Sequence, residues 1–364
     1  MATALAETFD DRAAAVGDAA AGALAVAGLT HHLGDAPILR EVGFTVGPGE
    51  VHALVGPSGC GKSTTLRLIA GLEPVQAGRI EICGHVVADP HRHVPPERRH
   101  VGLMFQDYAL FPHLTVRRNV AFGLARLPRR EREREVGAWL ARVGLPGHGD
   151  RYPHQLSGGE QQRVALARAM APGPCLMLLD EAFSNLDTHL REDLRTLVLD
   201  LLRETGTPTV LVTHDADEAI RVADRMHVMH AGRLVQSGTP AEIYARPSDL
   251  FVCSFFGQAS RFKGWAVGGR VSTPLGTVTR PDLADGTAVD VVVRPDAARV
   301  VRDGGDARAT VRAFRDLGPA CVAELELDDG WRISAHVPGG VAPLPGEEVA
   351  LAVDRDHIFV FESG

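Results

Sequence analysis

A Gly-rich segment at positions 56–63, Gly-Pro-Ser-Gly-Cys-Gly-Lys-Ser, fits the pattern G-x-x-x-x-G-K-[ST]. Its glycines would let backbone N–H groups curl around phosphate oxygens, and the helix that follows would point its positive end at them. Lys62 would reach the β- and γ-phosphates, and Ser63 would bind Mg²⁺. Only two of the 38 basic residues are lysines, so a lysine at this position is difficult to attribute to chance. The residues predicted to contact the phosphates are Gly56, Pro57, Ser58, Gly59, Cys60, Gly61, Lys62, Ser63 and Thr64.

Two carboxylates, Asp180 and Glu181, directly follow an apolar run at 175–179. The run has the length and composition of a strand that is buried on both faces. Asp180 at the end of that strand is suited to be a partner of Mg²⁺, and Glu181 is suited to polarise an attacking water. An apolar run that ends in acidic residues is weak evidence by itself, but the phosphate-binding loop upstream makes it strong evidence for a nucleotide-hydrolysing site.

A third segment, Ser157-Gly158-Gly159, opens a helical stretch that continues to residue 171. Ser followed by two Gly at the start of a helix is a second anion-binding device, because unpaired N–H groups and the helix dipole both face the anion there. As a lone helix cap the segment would be unremarkable.

In this order, the segments resemble the ATP-binding subunits of ABC transporters, from about residue 23 to the C-terminus. The resemblance identifies residues 56–64 with the Walker A loop, 176–180 with the Walker B strand and 156–161 with the LSGGQ-type signature. Glu160 stands where many members of the family have Gln. The resemblance implies ATP and Mg²⁺ as cofactors.

The same resemblance implies roles for single residues elsewhere in the chain. Gln106, in Met-Phe-Gln-Asp, is similar to the Q-loop glutamine that senses Mg²⁺ and the membrane subunit. Asp187, in Ser-Asn-Leu-Asp, is similar to the D-loop aspartate, and His214, in Val-Thr-His-Asp, to the switch histidine that contacts the γ-phosphate. The predicted catalytic residues are Lys62, Gln106, Glu181 and His214; the predicted metal residues are Ser63, Gln106 and Asp180; and further nucleotide contacts are predicted from Ser157, Gly158, Gly159 and Asp187.

The adenine position departs from the family pattern. Members of the family usually carry an aromatic residue about thirty positions before the Walker lysine, where it stacks on the base, but the corresponding residue here is Leu33, preceded by His31 and His32. Either a histidine ring replaces the aromatic residue or the base rests on an aliphatic surface. Because stacking on an aromatic ring contributes about 1–3 kcal/mol in nucleic-acid systems, we expect weak discrimination between ATP and GTP.

The chain contains one Walker A segment and one signature. In the family, the γ-phosphate is enclosed between the Walker A loop of one subunit and the signature of another. One copy of each therefore implies a homodimer in which Ser157 and Gly159 act on the nucleotide of the partner chain.

Elements that could position these residues are visible in the apolar pattern. Runs at 51–55, 175–179 and 209–212 indicate buried parallel strands, and 64–70 has helical spacing. Residues 126–142 interleave Arg and Glu, which indicates a solvated helix. The predicted class is α/β, a P-loop ATPase core with antiparallel β and helical subdomains, followed by a small all-β barrel domain.

These elements divide the chain into three parts. Residues 1–22 are Ala-rich and acidic and are predicted to be a disordered extension. Residues 23–246 would form the nucleotide-binding domain, with a helical subdomain at about 107–170. Residues 247–364 show short β-like runs without a helical period, which predicts an accessory or regulatory β-barrel domain.

Composition limits the class of protein. The formal charge of −8 weighs against a nucleic-acid partner. The five cysteines form no C-x-x-C pair, so we predict reduced thiols of a cytosolic protein. Cys60 precedes a predicted helix, where a lowered thiol pKa would favour oxidation. No segment has the features of a membrane span or an export signal.

Two segments of the core indicate which kind of transporter the chain would serve. Residues 231–240 resemble the ending of importer ATPases, and 101–124 resemble importers of ferric iron, polyamines, sulfate, thiamine and sugars. Overall likeness favours ferric iron, although in this family the substrate binds a permease and a separate substrate-binding protein. The resemblance places the chain at the cytoplasmic face of the inner membrane as a peripheral subunit, with the region around 106–112 against the permease.

Three other classes share part of these features. A GTPase requires an N-K-x-D motif, and neither lysine lies in one. A chromosome or repair ATPase with an ABC-type head carries long coiled-coil insertions, and no long heptad run is present. A soluble translation factor of the superfamily usually has two tandem ATPase units, and this chain has one. Stimulation by a permease, as opposed to RNA or DNA, would distinguish the transporter from all three.

Overall fold

The computed structural model describes residues 22–183, 188–257, 259–301, 304–316, 321–338 and 341–363. Asp187 and residues 1–21 of the predicted extension lie outside these ranges. The chain folds as two compact units that divide between Leu234 and Val235. The predicted boundary after residue 246 lies later in the chain. The difference arises because the helix at 240–245 belongs to the second unit, where the Tyr244 carbonyl oxygen accepts a hydrogen bond from Arg294.

Two sheets form the framework of the first unit. The larger has the order β11-β10-β3-β9-β8-β7, and the smaller, antiparallel sheet has the order β2-β1-β4-β5-β6. In the larger sheet the neighbours from β10 to β7 are parallel, so their carboxyl ends meet at one edge. The strands are β1 (Leu24–Leu33), β2 (Ala36–Val46), β3 (Val51–Val55), β4 (Ala77–Ile82), β5 (His85–Asp89), β6 (Arg92–His93), β7 (Val101–Met104), β8 (Leu176–Asp180), β9 (Thr209–Thr213), β10 (Arg225–His230) and β11 (Arg233–Gly238).

Helices cover both faces of the larger sheet. The contacts of α2 with α3 and α4 assemble a helical layer in the stretch predicted to be a helical subdomain. No helix in the part of the chain that the structure describes is long and apolar enough to cross a membrane. The helices of this unit are α1 (Lys62–Ala70), α2 (Val116–Ala121), α3 (Arg129–Arg142), α4 (Gly158–Met170), α5 (Thr188–Thr205) and α6 (Ala216–Val222).

The core explains why the predicted strands form. In β8, Leu176 and Leu178 belong to a hydrophobic cluster that includes α1 and the antiparallel sheet, whereas Met177 and Leu179 belong to a second cluster with the helical layer. Successive side chains of a strand point to opposite faces, so a strand covered on both faces must be apolar throughout. This confirms the interpretation of the run at 175–179 as a buried parallel strand.

The second unit contains a five-stranded sheet, β14-β13-β12-β15-β21, and a closed barrel, β16-β19-β18-β17-β20. The barrel confirms the predicted small β-barrel domain, although two short helices, at 240–245 and 250–255, precede its strands. The elements are α7 (Pro240–Ala245), α8 (Leu250–Phe255), β12 (Ser260–Val267), β13 (Arg270–Thr273), β14 (Gly276–Thr279), β15 (Ala288–Val293), β16 (Ala298–Val301), β17 (Ala307–Asp316), β18 (Cys321–Leu327), β19 (Arg332–Val337), β20 (Glu348–Val353) and β21 (Ile358–Glu362).

Candidate nucleotide site

The Gly-rich loop joins the carboxyl end of β3 to the start of α1. Gly56 and Gly61 have φ values of 154° and 106°. A Cβ at Gly56 would overlap the carbonyl oxygen of Met229, and one at Gly61 would overlap the side chain of Leu39. Glycine is therefore required at both positions by sterics and by backbone conformation. The result is a tight loop whose N–H groups precede a helix N-terminus, as phosphate binding requires.

Lys62 lies inside this loop. Its side chain is buried, and Nζ donates hydrogen bonds to the carbonyl oxygens of Gly56 at 2.7 Å and Pro57 at 3.0 Å. These bonds close the loop around the ammonium group and hold a positive charge where phosphate oxygens would be bound. Because its side chain is buried, Lys62 differs from an ordinary surface lysine.

Ser63 and Asp180 meet although they are 117 positions apart. Ser63 Oγ donates a hydrogen bond of 3.2 Å to Asp180 Oδ1. Burial raises the pKa of the Asp180 carboxyl, and the hydrogen bond from Ser63 offsets part of that rise. A hydroxyl and a carboxylate oxygen at this separation are the hard oxygen ligands that Mg²⁺ prefers. The donor set fits the predicted metal site.

Glu181 and His214 form a second pair beside the first. His214 Nδ1 lies 3.2 Å from Glu181 Oε1. The pairing follows from the sheet, because β8 and β9 are parallel with Asp180 opposite Val212. Residues just beyond the carboxyl ends of neighbouring strands therefore lie together. The structure thus unites the predicted base and the predicted switch histidine.

Gln106 lies in an exposed turn two residues after β7. Because β7 runs parallel to β8 with Met104 opposite Leu179, Gln106 is placed at the same edge of the sheet as Asp180. The adjacent turn is tied to α4, since Arg168 donates hydrogen bonds to the carbonyl oxygens of Tyr108 and Ala109 at 3.0 and 2.7 Å.

The predicted signature forms the start of α4. Ser157 is the N-cap: its Oγ accepts from Glu160 N, while the Glu160 carboxylate accepts from Ser157 N at 2.7 Å. The bond from the Ser157 backbone lowers the pKa of Glu160. This capping box gives a structural reason for Glu in place of Gln, because the carboxylate is stabilised at the positive end of the helix. In the described ranges, no hydrogen bond or ion pair joins residues 157–160 to 56–64.

The exposure of residues 31–33 limits which of them could contact the adenine base. His31 is buried, and its Nε2 lies 3.3 Å from Glu73 Oε2, so this ring faces the protein. Leu33 at the end of β1 is 73% exposed, and His32 beside it is also exposed. The two remaining candidates for a base-contacting surface are therefore Leu33 and His32.

The expectation for Cys60 is wrong. The residue is 3% exposed, and burial raises the pKa of its thiol above the ordinary value. Desolvation thus outweighs the helix N-terminus and the nearby Lys62 ammonium.

Two supporting residues were not predicted. Arg99 is buried, and its guanidinium donates to the carbonyl oxygens of Leu68 and Ile69 at the end of α1. Gln162 of α4 donates to the carbonyl oxygen of Ala182, next to Glu181. The available signals were weak: an Arg pair after Pro-Pro-Glu, and a second Gln after the signature.

Comparison with known proteins places this geometry in a family. The family model described as ABC transporter matches residues 39–184, and the TOBE domain model matches residues 291–361. The Fe(3+) ions import ATP-binding protein FbpC 2 of Rhodococcus jostii is 45% identical over 91% of this chain and 96% of its own length. The chain belongs to the ATP-binding subunits of ABC importers. This confirms the resemblance to ABC transporter subunits and the prediction that the nucleotide is ATP. The protein is an ATPase that couples ATP hydrolysis to transport.

Relatives with other substrates are nearly as similar to this importer subunit. A sulfate/thiosulfate import ATP-binding protein of Methylococcus capsulatus is 40% identical over 91% of the chain and 96% of its own length. A spermidine/putrescine import ATP-binding protein of Rubrobacter xylanophilus is 40% identical over 91% and 92%.

Solved structures agree on the fold of the core. The cbiO1 protein of Clostridium perfringens, part of the transporter complex cbiONQ, aligns with a TM-score of 0.57 and 30% identity over 62% of this chain and 91% of its own. A dimeric ATP-binding cassette in a post-hydrolysis state, bound to ADP and Pi, aligns with a TM-score of 0.54 and 30% identity over 60% and 98%.

Proposed function

We propose that this importer subunit hydrolyses Mg²⁺-bound ATP as a homodimer and energises the uptake of ferric iron. Iron would pass through a separate permease, fed by a substrate-binding protein. The chain would lie peripherally at the cytoplasmic face of the membrane. The observation that carries the catalytic part is the meeting of Ser63 with Asp180 and of Glu181 with His214 at one edge of the sheet.

The chemistry requires positioning and charge neutralisation more than covalent catalysis. Mg²⁺, when bound, would neutralise charge on the β- and γ-phosphates, with Ser63 and Asp180 as its protein ligands and Gln106 near them. Lys62 would exchange its loop carbonyl partners for phosphate oxygens. Glu181 would orient the attacking water, and His214 would contact the γ-phosphate and hold the carboxylate.

The signature would complete the site of a partner chain. A solved relative of similar fold is a dimer bound to ADP and Pi. In this chain Ser157 is exposed and Gly159 is partly exposed, as an interface with a partner's nucleotide would require. Ser157, Gly158 and Gly159 would bind the nucleotide from the opposite side, and Asp187 would be a further nucleotide contact.

The permease would bind around residues 106–112. Tyr108 and Phe111 in this segment are partly exposed, and Arg168 lies over the Phe111 ring at 5.4 Å. Because Arg168 belongs to α4, movement of the segment would be transmitted to the helix that carries the signature. The second unit, in which residues 291–361 match the TOBE domain model, would be an accessory or regulatory domain.

Ferric iron is favoured because Rhodococcus and Streptomyces relatives at 41–45% identity are named Fe(3+) ions import ATP-binding proteins. Polyamine, sulfate, thiamine and sugar import by the same mechanism are the alternatives. A soluble ABC ATPase without a permease is the alternative from another class.

The deciding experiment measures ferric-iron uptake in cells that lack this protein and any second iron importer. The cells are complemented with wild type or Glu181→Gln at matched expression. Restoration by wild type alone supports both iron transport and the role of Glu181. If neither wild type nor Glu181→Gln restores uptake, ferric iron is excluded as the substrate. Polyamine and sulfate uptake are then measured in the same strains. Phosphate release stimulated by RNA or DNA, but not by permease-containing membranes, would exclude transport.

A further inference from the structure

Two of the five cysteines meet in the fold. Cys83 and Cys175 are 92 positions apart, yet Cys83 Sγ lies 3.5 Å from the carbonyl oxygen of Cys175. The Cys83 side chain therefore lies against the backbone of Cys175. Both residues belong to the first unit, and neither takes part in the proposed hydrolysis mechanism.

The backbone holds both thiols in place. Cys83 occupies the turn between β4 and β5 with φ of 48°, and its N–H donates to the carbonyl oxygen of Ala23 at 2.9 Å. Cys175 directly precedes β8, and its N–H donates to the carbonyl oxygen of His100 at 2.9 Å. Both cysteines are therefore fixed by backbone hydrogen bonds, and the turn after β4 lies against the residue that precedes β8.

The two thiols differ in exposure and acidity. Cys83 is exposed, and its hydrogen bond with the Cys175 side chain lowers the pKa of the Cys83 thiol. The same bond, together with burial, raises the pKa of Cys175. An exposed thiol with favoured thiolate character next to a second thiol is the arrangement of peroxide-reactive pairs.

The other three cysteines lack one or more of these features. Cys60 and Cys253 are buried, and burial raises the pKa of both thiols. Cys321 is partly exposed, but desolvation and its contact with Asp316 raise its pKa. Cys321 is thus a matched control for an accessible thiol without a thiol partner in the described residues.

We propose that Cys83 and Cys175 form a peroxide-reactive modification site that closes to an intramolecular disulfide. The Cys83 thiolate attacks one oxygen of hydrogen peroxide, the O–O bond breaks, and Cys83 becomes a sulfenic acid as hydroxide leaves. The Cys175 sulfur then attacks the Cys83 sulfur, forming the S–S bond and releasing water, with the thiol proton taken up by the departing hydroxyl. Two electrons pass from the thiols to one peroxide.

The disulfide would tie the antiparallel sheet to the start of β8. Asp180 lies at the opposite end of that strand, so the bond would leave the phosphate loop open. Ile82 and Leu176, the neighbours of the two cysteines, belong to one hydrophobic cluster. A cross-link that closes a loop of this length restricts the unfolded chain strongly. Oxidation is therefore expected to raise the midpoint of thermal unfolding and to leave ATP binding intact.

The test uses the full-length protein treated with increasing hydrogen peroxide, then alkylated and mapped by mass spectrometry without reduction. We expect a linked pair of peptides carrying Cys83 and Cys175 at peroxide concentrations that leave Cys321 alkylated. The link should raise the unfolding midpoint, and dithiothreitol should reverse both effects. Cys321→Ser should form the link as wild type does.

Cys175→Ser tests whether Cys83 is the thiol that attacks peroxide. Without the Cys175 thiol, the Cys83 sulfenic acid cannot close to the disulfide and can be trapped by dimedone. Wild-type mapping requires no variant, so a folding defect in Cys175→Ser would leave the main readout intact. The proposal is overturned if Cys83 and Cys175 stay alkylated while Cys321 oxidises. It is also overturned if well-folded Cys175→Ser gives no more dimedone adduct at Cys83 than at Cys321.

Discussion

Glu181 is held by contacts to its backbone and to its carboxylate. Its N–H donates to the Val212 carbonyl oxygen at 2.9 Å, and its Oε1 lies 3.2 Å from His214 Nδ1. Its φ of 47° is unfavourable for a residue with a side chain. Such a conformation persists only where the surroundings impose it, and it is common at sites that orient reacting groups. The geometry is that of a base fixed in direction before substrate binds.

Replacing Glu181 with Gln should separate binding from hydrolysis. The amide retains the size and one acceptor of the carboxylate but cannot take a proton from water, so phosphate release should fall by about 10²–10⁴-fold. ATP affinity should stay within about twofold, and the bound dimer should accumulate. Phosphate release, ATP titration and gel filtration with ATP measure these effects. Glu131→Gln on the exposed face of α3 is the control, and near-normal turnover in Glu181→Gln would contradict the assignment.

Leu33 leads to a prediction about selectivity between ATP and GTP. Wild type should bind ATP and GTP with similar affinity, since an aliphatic side chain reads no base edge. Leu33→Trp should tighten ATP binding by about 5–160-fold, because stacking on an aromatic ring contributes about 1–3 kcal/mol. Equilibrium titration of both nucleotides measures the effect, with Leu72→Trp, another exposed leucine, as the control. Much tighter binding of ATP than of GTP by wild type would contradict the prediction.

Helix α4 connects three functional segments. Its start carries the signature, Gln162 contacts Ala182 beside the base, and Arg168 holds the turn after Gln106. Tyr108 and Ala109 in that turn have φ values of 62° and 42°. Backbone in this region is strained, so the two bonds from Arg168 are needed to keep the turn in its conformation.

Arg168→Leu should therefore impair coupling more than basal hydrolysis. Loss of the guanidinium removes both hydrogen bonds to the turn proposed to contact the permease, while the phosphate loop is unchanged. We expect substrate uptake in complemented cells to fall at least about fivefold and basal phosphate release to change less than about twofold. Arg134→Leu on the exposed face of α3 controls for loss of a positive charge. Equal loss of uptake and basal hydrolysis in Arg168→Leu would instead indicate a general role in the fold of α4.

Sequence alone predicted the local features whose residues are close neighbours in the chain. The Gly-rich loop, the acidic pair at the end of β8 and the helix cap each lie within one short segment, and the spacing of Ser157 and Glu160 fits a capping box. Contacts between distant segments depended on strand order. Only the parallel neighbours β8 and β9 bring His214 to Glu181, and only the turn after β4 brings Cys83 to Cys175. Burial, which local sequence does not state, reversed the expectation for Cys60.

The nucleotide site of one chain is incomplete in the proposed mechanism. The phosphate loop and the signature lie on different elements, and a homodimer would supply two composite sites. Gly158 allows a direct test of this arrangement. A Cβ at Gly158 would meet no atom within 4 Å, so an acidic side chain fits without disturbing the chain that carries it. Asp at the first turn of a helix also complements the helix dipole.

Gly158→Asp should therefore fold normally, but its carboxylate should repel the γ-phosphate of the nucleotide bound to the partner chain. Lys62→Ala should abolish hydrolysis of the nucleotide bound to its own phosphate loop. Each variant alone should be nearly inactive. In an equimolar mixture, heterodimers carry one site with both an intact loop and an intact signature, so random pairing should restore about a quarter of wild-type phosphate release if the two sites act independently. Each variant alone, at the total protein concentration of the mixture, is the control. If heterodimers form, as judged by differently tagged chains, and no activity returns, the signature acts within its own chain and the composite site is wrong.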